Sequence, residues 1–259
     1  SHAHTSGALN RRQKALAKIF MGKKTRNVSD YFFSCSYAAG EWIFGKDVGT
    51  RPNFYLLKNA IDPDRFVFNE NKGLEKRKEL GIEGKFVLGH VGRFDAAKNQ
   101  AFLLDIFQSV LKREKNAVLM LVGDGILRPS VEKKACELSL KDRVLFLGLR
   151  SDIPELLQAM DAFVFPSIFE GLPVTIIEAQ ASGLPCIVSS NVTSEVSVTD
   201  LVEYISLEKT ADEWAERVLA FKKGNERRNT SEEIRSAGYD VKETAKWLED
   251  FYMDLAGVE

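Results

Sequence analysis

Phe169 to Pro185 reads FEGLPVTIIEAQASGLP, and its spacing predicts a short loop feeding a helix. Ala162 to Pro166 before it reads as a short buried strand. Pro173 suits the first helical turn, and Gly183 stands where a left-handed stop is expected. The stretch therefore places Glu170 on the loop and Glu178 inside the helix. Leu172 falls at the expected cap position and offers no side-chain oxygen, so the first amides should stay open to an outside acceptor. Such amides attract hydroxyls and phosphates. Ionised carboxylates only accept hydrogen bonds, which suits Glu170 and Glu178 to a donor-rich, polyhydroxylated ligand.

Phe86 to Asn99, FVLGHVGRFDAAKN, is an apolar run ending in Gly92-Arg93, with Lys98 five residues beyond Arg93. Glycine at a strand end lets backbone approach a phosphate, and two cations can neutralise a departing diphosphate. Arg93 offers a forked donor and Lys98 a point charge. Cations are disfavoured at a helix start unless an anion sits there, which adds to the phosphate reading.

Apolar runs beginning at Phe86, Val118, Val144, Ala162, Cys186 and Val202 alternate with helical patterns. Those patterns cover Asn99 to Arg113, Pro129 to Leu138, Ile153 to Met160, Pro173 to Ser182 and Ala211 to Lys222. Short buried strands alternating with helices predict an α/β fold with a Rossmann-like parallel sheet, helices on both faces, and a cleft at the strand carboxyl ends. Gly224 to Glu233 reads as a loop or frayed helix start, and Val241 to Leu255 as an amphipathic helix. Asp152 stands at a helix start and is expected to be a plain cap.

Together these segments resemble the retaining GT-B glycosyltransferases of family GT4, whose signature is a Glu, seven residues and a second Glu, matched by Glu170 and Glu178. The resemblance implies that Glu170, Gly171 and Leu172 face the donor sugar, Glu178 the nucleotide ribose, and Gly92, Arg93 and Lys98 the diphosphate. Arg150 is placed beside the nucleotide base by position alone. Glu170, Arg93 and Lys98 are the residues expected to serve the reaction, with no protein nucleophile. The partners implied are a nucleotide diphosphate sugar and a glycan or lipid-linked acceptor, as in bacterial surface-polysaccharide synthesis, with no cofactor and no metal. In this reading residues 1–57 are the remnant of an N-terminal, acceptor-side domain, so the first domain is incomplete. Residues 58–240 form the nucleotide-sugar domain and 241–259 a helix crossing back, and the fragment alone should be inactive. His2 and His4 either match a His-rich loop that faces the cleft in relatives or belong to an added or frayed end.

Asp62-Pro63-Asp64 has the form of a metal-holding triplet, but Asn59 to Asp62 resembles the family's interdomain turn and Asp-Pro favours a turn. Residues 10–24 read as a basic helix. Tyr31, Phe32, Phe33, Trp42 and Phe44 make an apolar face expected to pack on Trp247, Leu248 and Phe251 or, like them, on a neighbouring chain. The chain has 259 residues, 44% of them hydrophobic, and a net charge of −1, which gives no sign of nucleic-acid binding. Cys35, Cys136 and Cys186 lie far apart, with the latter two in apolar patterns, and fit reduced thiols in a cytoplasmic setting. No apolar run approaches the ~20 residues of a membrane span, so membrane contact would be peripheral, at the inner face and through the missing domain. Three other readings stay open: a GT-B-fold phosphorylase or epimerase, a non-catalytic nucleotide-sugar module, and a metal-dependent transferase using Asp62 and Asp64.

Overall fold

The computed structural model describes residues 2–3, 28–223 and 227–257. His4 and the expected basic helix of residues 10–24 lie outside them, as does the side chain of His2. The chain divides into two compact units, one formed by Ser1–Ala60 with Gly238–Glu259, the other by Ile61–Ala237.

The first unit carries strands β1 (His2–Ala3), β2 (Phe32–Ser34) and β3 (Phe54–Leu56) in a parallel sheet, with α1 (Tyr37–Phe44) between the last two. Ser36 caps α1 by accepting from the Ala39 amide at 3.1 Å. Phe32, Phe44 and Val48 form a small core, with the rings of Phe32 and Phe44 edge to face at 5.1 Å. The unit's late segment, helix Val241–Ala256, lays Phe251 against Tyr31 (5.2 Å) and Phe33 (5.3 Å), and Trp247 against Tyr55 (5.5 Å). Of the aromatics expected to pack on this helix, Tyr31 meets Phe251 and Phe33 meets both Trp247 and Phe251, whereas Phe32 and Phe44 turn into the small core instead.

The second unit runs α2 (Glu70–Leu80), β4 (Phe86–Val91), α3 (Gln100–Arg113), β5 (Ala117–Val122), α4 (Arg128–Glu137), β6 (Val144–Gly148) and α5 (Ile153–Gln158). It continues with β7 (Ala162–Phe165), α6 (Val174–Ala181), β8 (Cys186–Ser189), β9 (Val202–Ile205), α7 (Ala211–Ala220) and α8 (Ser231–Ser236), before α9, the Val241–Ala256 helix, returns to the first unit. All six strands of its sheet are parallel, in the order β6-β5-β4-β7-β8-β9. Helices cover both faces, so the expected α/β, Rossmann-like sheet is present. Strands β4 and β5 are buried at every position, which is why their sequences are apolar runs, broken in β4 only by Gly89 and His90, rather than alternating ones. Fully burying each Val or Leu contributes about 1.5–3 kcal/mol. The strand order reverses between β4 and β7, and a crevice at such a point is where doubly wound sheets bind ligands.

Some local expectations need correction. Helix α6 begins at Val174, and its cap residue is Pro173, not Leu172. Proline's fixed φ of −76° with ψ of 100° keeps it just outside the helix, and it too has no capping oxygen. Gly183 does end α6, at φ +66°, and a β-carbon there would lie 2.6 Å from the Arg228 carbonyl oxygen. Asp152 occupies the cap position of α5 but makes no capping bond, because Arg150 and Lys76 take its carboxylate. Cys136 is exposed on α4, whereas Cys35 and Cys186 are buried.

Candidate active site at the carboxyl edge of the sheet

Strand β4 delivers Gly92 and Arg93 to the carboxyl edge beside β5 and β7. The Gly92 amide donates to the Val122 carbonyl at 2.9 Å and the Phe94 amide to the Asp124 carbonyl at 3.0 Å, so the loop is strapped to the Gly123-Asp124-Gly125 turn. Contact there is backbone on backbone. A β-carbon at Gly123, whose φ is +128°, would sit 2.2 Å from the Gly92 carbonyl oxygen. Gln100 completes the strap by donating from Nε2 to the Arg93 carbonyl at 2.8 Å. Arg93 itself is exposed, and its guanidinium reaches no carboxylate among the described residues.

Asp95 turns the chain toward α3, accepting through Oδ1 from the amides of Ala97 (3.0 Å) and Lys98 (3.2 Å). Asn99 then adopts the left-handed conformation at φ 56° and gives its side chain to the Pro166 carbonyl instead of capping α3. Lys98 is thereby held just ahead of an uncapped helix start, where a cation is unfavourable unless neutralised. The neutraliser is Glu170: Lys98 Nζ lies 2.6 Å from its Oε1 and 2.7 Å from its Oε2, with side chains only 17% and 10% exposed. Lys98 Nζ also stands 5.0 Å from the centre of the Phe165 ring. The anion expected at this helix start is, in this state, the protein's own carboxylate.

Glu178 projects from the second turn of α6, half-buried, and its carboxylate accepts no hydrogen bond among the described residues. Burial pushes its carboxyl up from the ordinary value, opposed by the field of Arg65. A desolvated acceptor without a donor is poised for a hydroxyl. Gly171 is exposed and Leu172 half-buried, and both stand on the loop ahead of α6. Arg150 is engaged within the protein: it grips Asp152 with two bonds of 2.7 and 2.6 Å and lies 3.5 Å from Glu79. That grip and Lys76 hold the Asp152 carboxyl well below the usual range.

Asp62 and Asp64 are each engaged within the protein. Asp62 accepts from the Asp64 amide at 3.3 Å in the turn that opens a 3₁₀ segment, and Asp64 pairs with Arg235. Among the described residues no group of three His, Cys, Asp or Glu side chains has metal-holding geometry. No described helix is long and apolar enough to cross a membrane.

Sequence reasoning missed His90. Its imidazole is completely buried in β4, stacked on Phe165 at 5.3 Å, with Nδ1 2.9 Å from the Val164 carbonyl oxygen and Nε2 without a partner. Burial drives its pKa down to about 4, so it is neutral at physiological pH. A histidine inside FVLGHV was the available signal: a lone polar residue in an otherwise apolar strand.

A cavity of about 400 Å³ opens at the opposite, amino ends of the strands, lined by Lys85, Glu114, Asp161, Lys222 and Arg227 among others. It is not a candidate for the chemistry, since its charged groups are already paired or hydrogen-bonded inside the protein.

The profile described as glycosyl transferases group 1 matches residues 73–239. Over 223 residues the chain is 38% identical to the putative glycosyltransferase EpsF of Bacillus subtilis, a match covering 85% of this chain and 58% of that protein. It is 39% identical over 139 residues to the UDP-Gal:alpha-D-GlcNAc-diphosphoundecaprenol alpha-1,3-galactosyltransferase of Escherichia coli, covering 52% of this chain and 36% of that one. The chain thus spans little more than half, or less, of the curated relatives it matches. Among solved structures, Anabaena Alr3699/HepE in complex with UDP aligns over 98% of this chain and 71% of its own, with TM-score 0.79 at 19% identity. WaaG, a glycosyltransferase involved in lipopolysaccharide biosynthesis, aligns over 80% and 59% with TM-score 0.66 at 24% identity. These likenesses establish the GT-B type of fold for the sheet unit. With the profile covering more than half of the sequence, the chain belongs to the glycosyl transferases group 1 family.

Proposed function

We propose that this chain carries the donor-binding side of a retaining glycosyltransferase. In that reaction a sugar passes from a nucleotide diphosphate sugar to a glycan or lipid-linked acceptor in polysaccharide synthesis. The observation that supports it most is the convergence, at one sheet edge, of an unneutralised Arg93, the Lys98–Glu170 pair and a desolvated, unpaired Glu178. The reading also draws support from a relative named for transfer from UDP-Gal to a diphosphoundecaprenol-linked sugar, and from HepE, solved with UDP and with UDP-glucose.

In this mechanism Arg93 and Lys98 meet the negative charge that grows on the departing diphosphate, and need no metal to do so. Phosphate oxygens compete with Glu170 for Lys98, which frees the Glu170 carboxylate to accept from sugar hydroxyls. Gly171 and Leu172 bring backbone to the same sugar. Glu178 accepts from the ribose. No side chain is assigned as nucleophile, so retention follows from departure and attack on one face. Arg150 reaches the base only through its loop, because its guanidinium is committed to Asp152.

Calorimetric titration with UDP and UDP-glucose in the presence of chelator tests the reading. UDP should bind with Glu170→Ala unimpaired for UDP but weakened for UDP-glucose, and Glu178→Ala weakened for both by about 1.5–3 kcal/mol. Binding that vanishes with chelator and returns with magnesium or manganese would refute the metal-free clamp.

A further inference from the structure

Three buried side-chain atoms lack a hydrogen-bond partner among the described residues: His90 Nε2, Gln100 Oε1 and Ser167 Oγ. An amide can turn and a hydroxyl can rotate, but His90 has no such freedom. Its Nδ1 must carry the proton, because the atom it faces at 2.9 Å is the Val164 carbonyl oxygen, which only accepts. Nε2 is therefore a bare lone pair in a dry place, which is costly unless something donates to it.

The surroundings of Nε2 identify the donor. A point one β-carbon out from Gly92 lies 3.0 Å from His90 Nε2 and 3.2 and 3.3 Å from Cε and Cδ of Lys98. Nε2 and the end of the Lys98 side chain thus border the same small space beside Gly92, and the Lys98 charge also helps to keep the imidazole neutral. In this state the ammonium passes the imidazole by and lies on Glu170.

We propose that His90 is a positioning residue whose Nε2 is a second berth for the Lys98 ammonium, occupied when Glu170 turns to the donor sugar. This rests on the donor-binding reading above. An ammonium has three donors. With one held by Nε2, the other two are aimed at the diphosphate, and Lys98 does not have to follow Glu170 when the sugar arrives. No proton changes owner, since a neutral acceptor suffices.

Two measurements decide it. Ring ¹⁵N spectra of the ligand-free protein should show the Nε2 resonance of His90 move in Glu170→Gln, where the carboxylate berth is lost, and move back in Glu170→Gln with Lys98→Met. An Nε2 resonance unmoved by Glu170→Gln overturns the inference whatever the nucleotide does. In UDP titrations, His90→Phe keeps the ring in its stack but removes the Nε2 acceptor together with the Nδ1–H bond to Val164, and should weaken binding roughly tenfold, the worth of one hydrogen bond to a charged group. His90→Gln restores an acceptor at the same reach and should bind within about twofold of the wild type. A purely structural histidine would be served at least as well by Phe as by Gln, so equal binding by the two variants also overturns the berth. If the wild type binds no UDP, the donor reading falls, and the spectra alone judge the berth.

Discussion

At the amino ends of the six-stranded sheet Arg227 lies half-buried on the Phe68 ring, 4.2 Å from its centre. It donates to the carbonyls of Leu157 (3.1 Å), Gln158 (3.0 Å), Met160 (3.2 Å) and Ser182 (2.9 Å). At the carboxyl ends Arg93 is exposed and holds nothing of the kind. The same contrast runs through the neighbours. Asp161, at the amino end, pairs with Arg77 at 2.7 Å and accepts from the Val87 amide at 2.7 Å, while Glu178, at the carboxyl side, is desolvated and unpaired. At the amino end these charges close the fold, whereas at the carboxyl end Arg93 and Glu178 stay unpaired among the described residues beside the Lys98–Glu170 pair. An arginine's environment, more than its presence, separates scaffold from site.

The contrast is broken or sharpened most strongly at Arg227. Arg227→Met leaves four carbonyls without their donor and should cost about 3–5 kcal/mol of unfolding free energy in chemical denaturation. A loss below 1 kcal/mol would show that this end is no more committed than the other.

His90 comes next, through pH. Its pKa falls from 6.5 to about 4 on folding, so between those values the unfolded chain binds a proton that the folded one refuses. The stability it contributes is complete above about 6.5 and is lost as pH falls toward 4, a total of about 3 kcal/mol. The difference between wild-type and His90→Phe stability, followed by urea titration over that range, should show this slope and vanish if the imidazole is hydrated.

Arg93→Ala should lower UDP affinity about 10- to 100-fold and leave stability within about 0.5 kcal/mol. A comparable loss in both would place Arg93 with Arg227 rather than opposite it.

The smallest effect belongs to Glu178. Its raised pKa means that the ionised carboxylate is disfavoured in the fold, a cost absent at low pH that grows as pH rises through the raised value. Glu178→Gln should therefore unfold at slightly higher temperature than the wild type at pH 7 while binding UDP less tightly. A lower melting temperature would mean that the carboxylate has a partner after all.

The strands were legible because β4, β5, β7 and β8 are buried at every position and so are written as mostly apolar runs, and all six begin within a residue or two of Phe86, Val118, Val144, Ala162, Cys186 and Val202. Helix α2 was not, because ENKGLEKRKEL has no apolar stripe; its only signals were the Asn69 cap and the left-handed Gly81 that stops it. Nor did GNERRNTSEE betray that it contains Arg227, since a polar run gives no hint of which guanidinium turns inward. At the site, Gly92, Arg93, Lys98, Glu170 and Glu178 could be picked out by spacing. The Lys98–Glu170 contact could not, because it joins residues 72 apart through the packing of β4 on β7. His90 was lost inside its own hydrophobic strand.

The two-segment composition of the first unit has a consequence for how the polypeptide emerges from the ribosome. Residues 61–237 form one uninterrupted stretch, with every strand of the larger sheet inside it, whereas Tyr31, Phe33 and Tyr55 must wait for Trp247 and Phe251. Synthesis runs from the amino end, so the larger sheet has all its parts before the aromatic cluster of the smaller unit has its last two rings. Until then Tyr31, Phe33 and Tyr55 are without those rings, and the nascent chain carries an adhesive surface for as long as the intervening 177 or so codons take to read.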